Sequence, residues 1–90
     1  MKIEPSKPFQ KAFKKRTAKN KSLADLFAQK LQKFIENPYA PELETHKLIG
    51  QLEGFWAFSV ACDCRVVFTF TDNNRDHVIL HDIGSHDEVY

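Results

Sequence analysis

His46, His77, His81 and His86, with Arg65, are residues of the second half of the chain whose types could do reaction chemistry. A histidine with an unperturbed pKa near 6.5 can take or give a proton around neutral pH. An arginine stays charged, and its planar fork matches phosphate oxygens. His77 and His81 invite a metal reading, yet on a strand they lie about 13 Å apart along the axis. Zinc ligand atoms sit about 2.0 Å from the ion, so this pair alone cannot chelate, and no metal or other cofactor is expected. Cys62 and Cys64 are the only cysteines. Two residues apart on a strand they would be about 6.6 Å from each other, near the upper limit for a disulfide. A C-x-C without a second ligand pair is a poor metal motif, so both read as reduced thiols used mainly for packing.

The net charge of +1 conceals a strong asymmetry. Residues 1–33 carry ten basic residues against two acidic ones, a balance of +8, and residues 34–90 carry three basic against ten acidic, a balance of −7. One end of the domain therefore suits a polyanion such as RNA. A solvated lysine face that keeps the protein soluble explains the same charges equally well. With 42% hydrophobic and 28% charged residues the chain has the composition of a globular protein, and 90 residues leave room for one domain, 1–90, with one core. No apolar run approaches the ~20 residues of a membrane span. The start, Met1-Lys2-Ile3-Glu4-Pro5, lacks the apolar region of a secretory signal, so the cytoplasm is the expected location.

The elements that must position these residues follow from periodicity. Lys2-Ile3-Glu4 reads as a short strand before Pro5. Ser6 caps a first helix with Pro8 in its first turn, where a missing N–H does no harm. Phe9, Ala12 and Phe13 form its buried stripe while Lys11, Lys14 and Lys15 face away. The polar stretch Thr17–Lys21 breaks the pattern, and Ser22 begins a second helix with Leu23, Leu26, Phe27, Leu31, Phe34 and Ile35 on one face, ended by Asn37-Pro38. A proline-punctuated loop covers 38–47, and Leu48–Leu52 is expected to pair briefly before Gly54. Phe55–Ala61, Cys64–Thr71 and His77–Ile83 are β-rich runs separated by short turns, which predicts an antiparallel meander. The fold class is then α+β: an N-terminal strand and a helix hairpin packed on an antiparallel sheet of four or more strands. Phe55, Trp56 and Phe58 are read as core and cross-strand packing rather than as base-stacking platforms.

Three stretches carry a resemblance. His46-Lys47-Leu48-Ile49-Gly50-Gln51-Leu52-Glu53-Gly54-Phe55-Trp56 is similar to an H-x-L-x-G-x-L-x-G-aromatic lead, and Asp63-Cys64-Arg65-Val66-Val67-Phe68 to a D-x-R-hydrophobic-hydrophobic-aromatic strand. Gly84-Ser85-His86-Asp87-Glu88-Val89-Tyr90 is similar to a G-[ST]-H-x-x-aliphatic-aromatic close. In this order, after a helix hairpin, they resemble the RelE/ParE toxin superfamily over nearly the whole chain, most closely the YafQ branch. The resemblance implies a toxin that cleaves mRNA, commonly on the translating ribosome, and is silenced by a cognate antitoxin.

It also implies a site. His46 and His86 match the family's catalytic histidines, Tyr90 its terminal aromatic, Asp63 an acidic position and Arg65 an arginine used on the phosphate. The implied assignment gives Arg65 the transition-state charge and His46 and His86 the proton transfers in either order. Asp63 orients a histidine or the ribose hydroxyl, and Tyr90 stacks on a base or contacts phosphate. Lys11, Lys14, Lys15 and Lys47 are the expected RNA contacts. Three positions depart from the pattern: Ser59 replaces a histidine, Cys64 an aromatic, and Asp82 an arginine four residues before His86, a charge that Arg65 can supply from a neighbouring strand. Two other readings stay in play. One is a ParE-like toxin that binds DNA gyrase without chemistry of its own, against which the histidine pair and Arg65 count; the other, kept open by Ser59 and Asp82, is a decayed toxin that retains only antitoxin binding.

Overall fold

The computed structural model describes residues 1–85. Strand β1 (Lys2–Pro5) leads into helices α1 (Lys7–Lys19) and α2 (Lys21–Glu36), followed by β2 (His46–Lys47), β3 (Trp56–Ala61), β4 (Cys64–Phe70) and β5 (His77–Gly84). The strands form one sheet in the order β1-β5-β4-β3-β2. β2 to β5 pair antiparallel, as the short connections require, while β1 adds parallel to β5, so the sheet is mixed. A parallel neighbour needs a long crossover, and the chain from α1 to β4 supplies it.

Local chemistry accounts for the helix bounds. The Ser6 hydroxyl accepts from the Phe9 N–H at 3.2 Å, and Pro8 sits in the first turn. The expected break at Thr17–Lys21 shrinks to Asn20 alone. Thr17 stays helical because its hydroxyl donates to the Phe13 carbonyl one turn back at 2.8 Å. Asn20, in extended conformation, closes α1 through its N–H on the Thr17 carbonyl and begins α2. The brief pairing expected over Leu48–Leu52 falls earlier, at His46–Lys47, and Gly50–Leu52 is a 3₁₀ turn. Gly50 and Gly54, with φ of 73° and 95°, let the segment turn back, and the Leu48 N–H donates to the Phe55 carbonyl at 2.9 Å.

The helices cover one face of the sheet. Phe34 from α2 is fully buried against Phe58 and Phe68, with ring centroids 4.6 and 4.9 Å away. Phe9, Phe13 and Phe27 clasp the helix hairpin together. Alternation places Val60, Cys64, Val66, Val78 and Leu80 in the same core. The opposite face has only a small apolar cluster, where Leu48, Leu52 and Phe55 pack on Ala57 and Val67. None of the described helices is long and apolar enough to cross a membrane.

Candidate active site on the open face of the sheet

Residues that alternate with the core strand by strand project from the face that the helices leave uncovered. Ser59 on β3 stands opposite Arg65 on β4, and Arg65 stands opposite Gly84 on β5. One step along, Val67 stands between Ala57 and Asp82, and Ala57 is opposite His46. Two rows of residues thus cross the open face, and both catalytic candidates of the middle sequence, His46 and Arg65, belong to them.

Arg65 is held in place. Its Nη1 donates to the Ser59 hydroxyl at 3.0 Å, and that hydroxyl donates to the Ala61 carbonyl at 3.1 Å. Ser59 is only 7% exposed, and this relay satisfies it as both donor and acceptor. One of the five N–H groups of the guanidinium fixes its position while the planar fork keeps donors for a phosphate. Arg65 itself is half-buried, where a charge acts more strongly than in open water.

His46 is exposed on the edge strand. Its Nδ1 lies 2.8 Å from the Glu44 carbonyl oxygen, which can only accept. Nδ1 therefore carries the hydrogen, and in the neutral ring the lone pair belongs to Nε2, the form a general base requires. Asp63 is exposed in the β3–β4 turn, two residues before Arg65. Lys47 points away from the row: it pairs with Trp56, and its Nζ lies 5.5 Å from the centre of that ring. Lys11, Lys14 and Lys15 are exposed along α1. His86 and Tyr90 lie outside the described residues.

Three further residues take defined places. Cys64 is buried in the core, and Cys62 is exposed in the turn rather than beside it on a strand; both thiols are free. Burial pushes the Cys64 thiol pKa up, and Asp63 adds to this against the opposing pull of Arg16 and Arg65. Cys64 is thus a packing thiol, not a nucleophile. His81, weighed in the sequence only as a partner of His77, occupies the bulge where β5 slips against β4 between Val67 and Phe68. Its Nε2 is 2.9 Å from the Thr69 hydroxyl, its ring stands edge-on to Phe55, and burial lowers its pKa. Nothing in its sequence context marks it, because the bulge that turns it onto this face has no residue signature. Among the described residues, no three His, Cys, Asp or Glu side chains are grouped to hold a metal ion.

Comparisons with known proteins agree with this architecture. No curated protein sequence matches the chain. A toxin from Helicobacter pylori, solved in a metal-bound form, is 27% identical, with 100% of this chain and 99% of that one covered and a TM-score of 0.80. YafQ from Escherichia coli strain BL21(DE3) shares the fold at 20% identity, covering 98% and 96% of the two chains, with a TM-score of 0.79. The E. coli DinJ–YafQ complex gives a TM-score of 0.72 at 22% identity over the same shares. The family model described as the bacterial toxin of the type II toxin–antitoxin system, YafQ, matches residues 1–90. The chain therefore belongs to the YafQ family of bacterial type II toxin–antitoxin toxins.

Proposed function

We propose that this toxin is an endoribonuclease that cuts mRNA on translating ribosomes in the cytoplasm, without a metal ion. The observation that carries the reading is the half-buried Arg65 guanidinium, anchored by Ser59 on the same open face as His46, whose Nδ1 is held by the Glu44 carbonyl. In the proposed reaction a base removes the proton of a ribose 2′-hydroxyl, and the oxygen attacks the adjacent phosphorus. The bond from phosphorus to the 5′-oxygen breaks, and an acid protonates that oxygen. The products are a 2′,3′-cyclic phosphate and a 5′-hydroxyl. Arg65 offsets the charge that builds on the phosphorane oxygens. His46, with its lone pair on Nε2, is the base, and His86, two residues beyond Gly84 in sequence, the acid. Asp63 orients a histidine or the ribose, Tyr90 stacks on a base, and Lys47 with Lys11, Lys14 and Lys15 holds the RNA backbone. Base, acid and cation are all side chains in this scheme, so no step calls on a metal.

The E. coli relative is complexed with DinJ, and we assign this chain a cognate antitoxin whose acidic or amphipathic segment covers the basic face of α1 or the sheet edge. Reversing Lys11, Lys14 and Lys15 to glutamate should weaken that complex and reduce its salt dependence; unchanged binding would exclude this surface. The function is tested by inducing the toxin, mapping mRNA 5′ ends and identifying the chemistry of both new ends. New 5′-hydroxyl ends matched by 2′,3′-cyclic phosphates support the reading, and 5′-phosphate ends would contradict the 2′-hydroxyl attack. Intact RNA together with blocked gyrase supercoiling would replace it with the ParE-like one, and intact RNA with normal supercoiling would leave an antitoxin-binding module.

A further inference from the structure

At the end of the sheet remote from Arg65, two cations converge on the single tryptophan of the chain. The Lys47 Nζ lies 5.5 Å from the Trp56 ring centre, and the Arg75 guanidinium lies 5.2 Å from it. Arg75 is also 5.3 Å from Phe70 and 5.8 Å from Tyr39, and its Nη1 donates to the Tyr39 hydroxyl. The β4–β5 turn presents this arginine with φ at 56°, a left-handed conformation uncommon outside glycine. Among the described residues, neither Lys47 nor Arg75 forms an ion pair with a carboxylate. Rings hold the two charges in place without neutralising them.

These residues border a hollow of about 710 Å³, into which Phe55 and Asn73 also face, with Glu53 and Asp72 among its walls. The volume falls within the range of small-molecule sites. The contents fit one chemical class well. Aromatic rings and a guanidinium plane stack on a nucleobase, cations meet a phosphate, and the Asn73 amide and Asp72 carboxylate match the donors and acceptors of a base edge. Arg75 is exposed, so a base can lie on the outer face of its guanidinium while the inner face stays on Trp56.

The hollow is distinct from the Arg65 site. Phe70 is five residues along β4 from Arg65, about 17 Å. Lys47 directly follows His46 on β2, so one edge strand runs from the cleft to the hollow. We propose that this hollow is a base-stacking subsite for a nucleotide of single-stranded RNA away from the cut, with Trp56 and Arg75 as the stacking surfaces and Lys47 as the backbone contact. The assignment rests on RNA being the substrate. It also revises the sequence reading of Trp56, which packs on the core with one part of its ring and borders the hollow with another.

Trp56 supplies its own signal. The full-length toxin is titrated with a short oligoribonucleotide carrying 2′-O-methyl groups, which cannot undergo 2′-hydroxyl attack, while tryptophan fluorescence is recorded. Saturable quenching is expected. Arg75→Ala and Lys47→Ala should each raise the Kd by about tenfold. Arg75→Lys, which keeps the charge and loses the planar fork, should fall between Arg75→Ala and the parent. A melting curve confirms that each variant is folded. Saturable binding without any fluorescence change would overturn the subsite, as would a nucleoside monophosphate binding as tightly as the oligonucleotide. The parent cutting unmodified RNA while Trp56 fails to respond would discard the subsite and keep the ribonuclease reading. Quenching with no cleavage of any RNA would keep the subsite and discard that reading.

Discussion

Arg65 Nη1 and Ser59 Oγ are 3.0 Å apart across the β3–β4 pair, and Ser59 in turn bonds to the Ala61 carbonyl. A small buried hydroxyl thus sits at the position where the sequence resemblance leads one to expect a histidine, and it holds the arginine in place. The cleft therefore carries its cation on β4, while β5, where the resemblance implies an arginine, has Asp82. Hydrogen bonds to charged groups contribute about 1.5–3 kcal/mol.

Ser59→Ala should lower cleavage by about tenfold or more through loss of Arg65 positioning, in kcat rather than in fold. Ser59→Thr, which keeps the hydroxyl, should retain most of the activity. Equal loss in both variants would show that the hydroxyl is not what matters.

Stability depends on the ring stack beneath the sheet. Phe34 is fully buried between Phe58 and Phe68, and Phe34→Ala should cost about 3–5 kcal/mol, a large share of what a domain of this size has. Chemical denaturation measures it. A change below about 1 kcal/mol would contradict the packing described here.

Burial holds the His81 pKa below its ordinary value of 6.5. The unfolded chain takes up a proton near that value and the folded ring resists it. This contribution to stability is present above about pH 6.5 and is lost as the pH falls through the lower folded value. The parent should therefore lose more Tm between about pH 7.5 and about pH 5 than His81→Gln does. Equal losses would mean that the ring titrates alike in both states.

Much of this was legible in the sequence. The Ser6 cap, the Phe9 stripe, the Asn37-Pro38 stop and the three β-rich runs rest on local signals, and each appears in the fold where those signals place it. Parallel pairing of β1 with β5 was not legible, because no pattern within four residues states which distant strand they join. The placement of β2 also escaped: Leu48 and Leu52 are apolar because they pack on Ala57 and Val67, not because they form a ladder. The placements of His81 and Arg75 escaped for a related reason. A bulge gives one its direction and a left-handed turn residue the other, and both are consequences of pairing between strands. Arg65 and His46 were visible as residue types and through the resemblance, but the hydrogen bonds to Ser59 and Glu44 that hold them belong to the fold alone.

In the proposed reaction the guanidinium of Arg65 supports phosphodiester cleavage on the open face. The decisive experiment is single-turnover cleavage of a ribosome-bound mRNA by Arg65→Ala, with circular dichroism to confirm the fold. Loss of one preorganised donor of this kind typically costs about 10²–10³ in rate, and a loss of that size is the predicted result. His86→Ala should also be slow, since a positioned acid or base contributes about 10²–10⁴, and His46→Ala should show a loss no greater than that. A folded Arg65→Ala protein that cuts as fast as the parent would contradict the account.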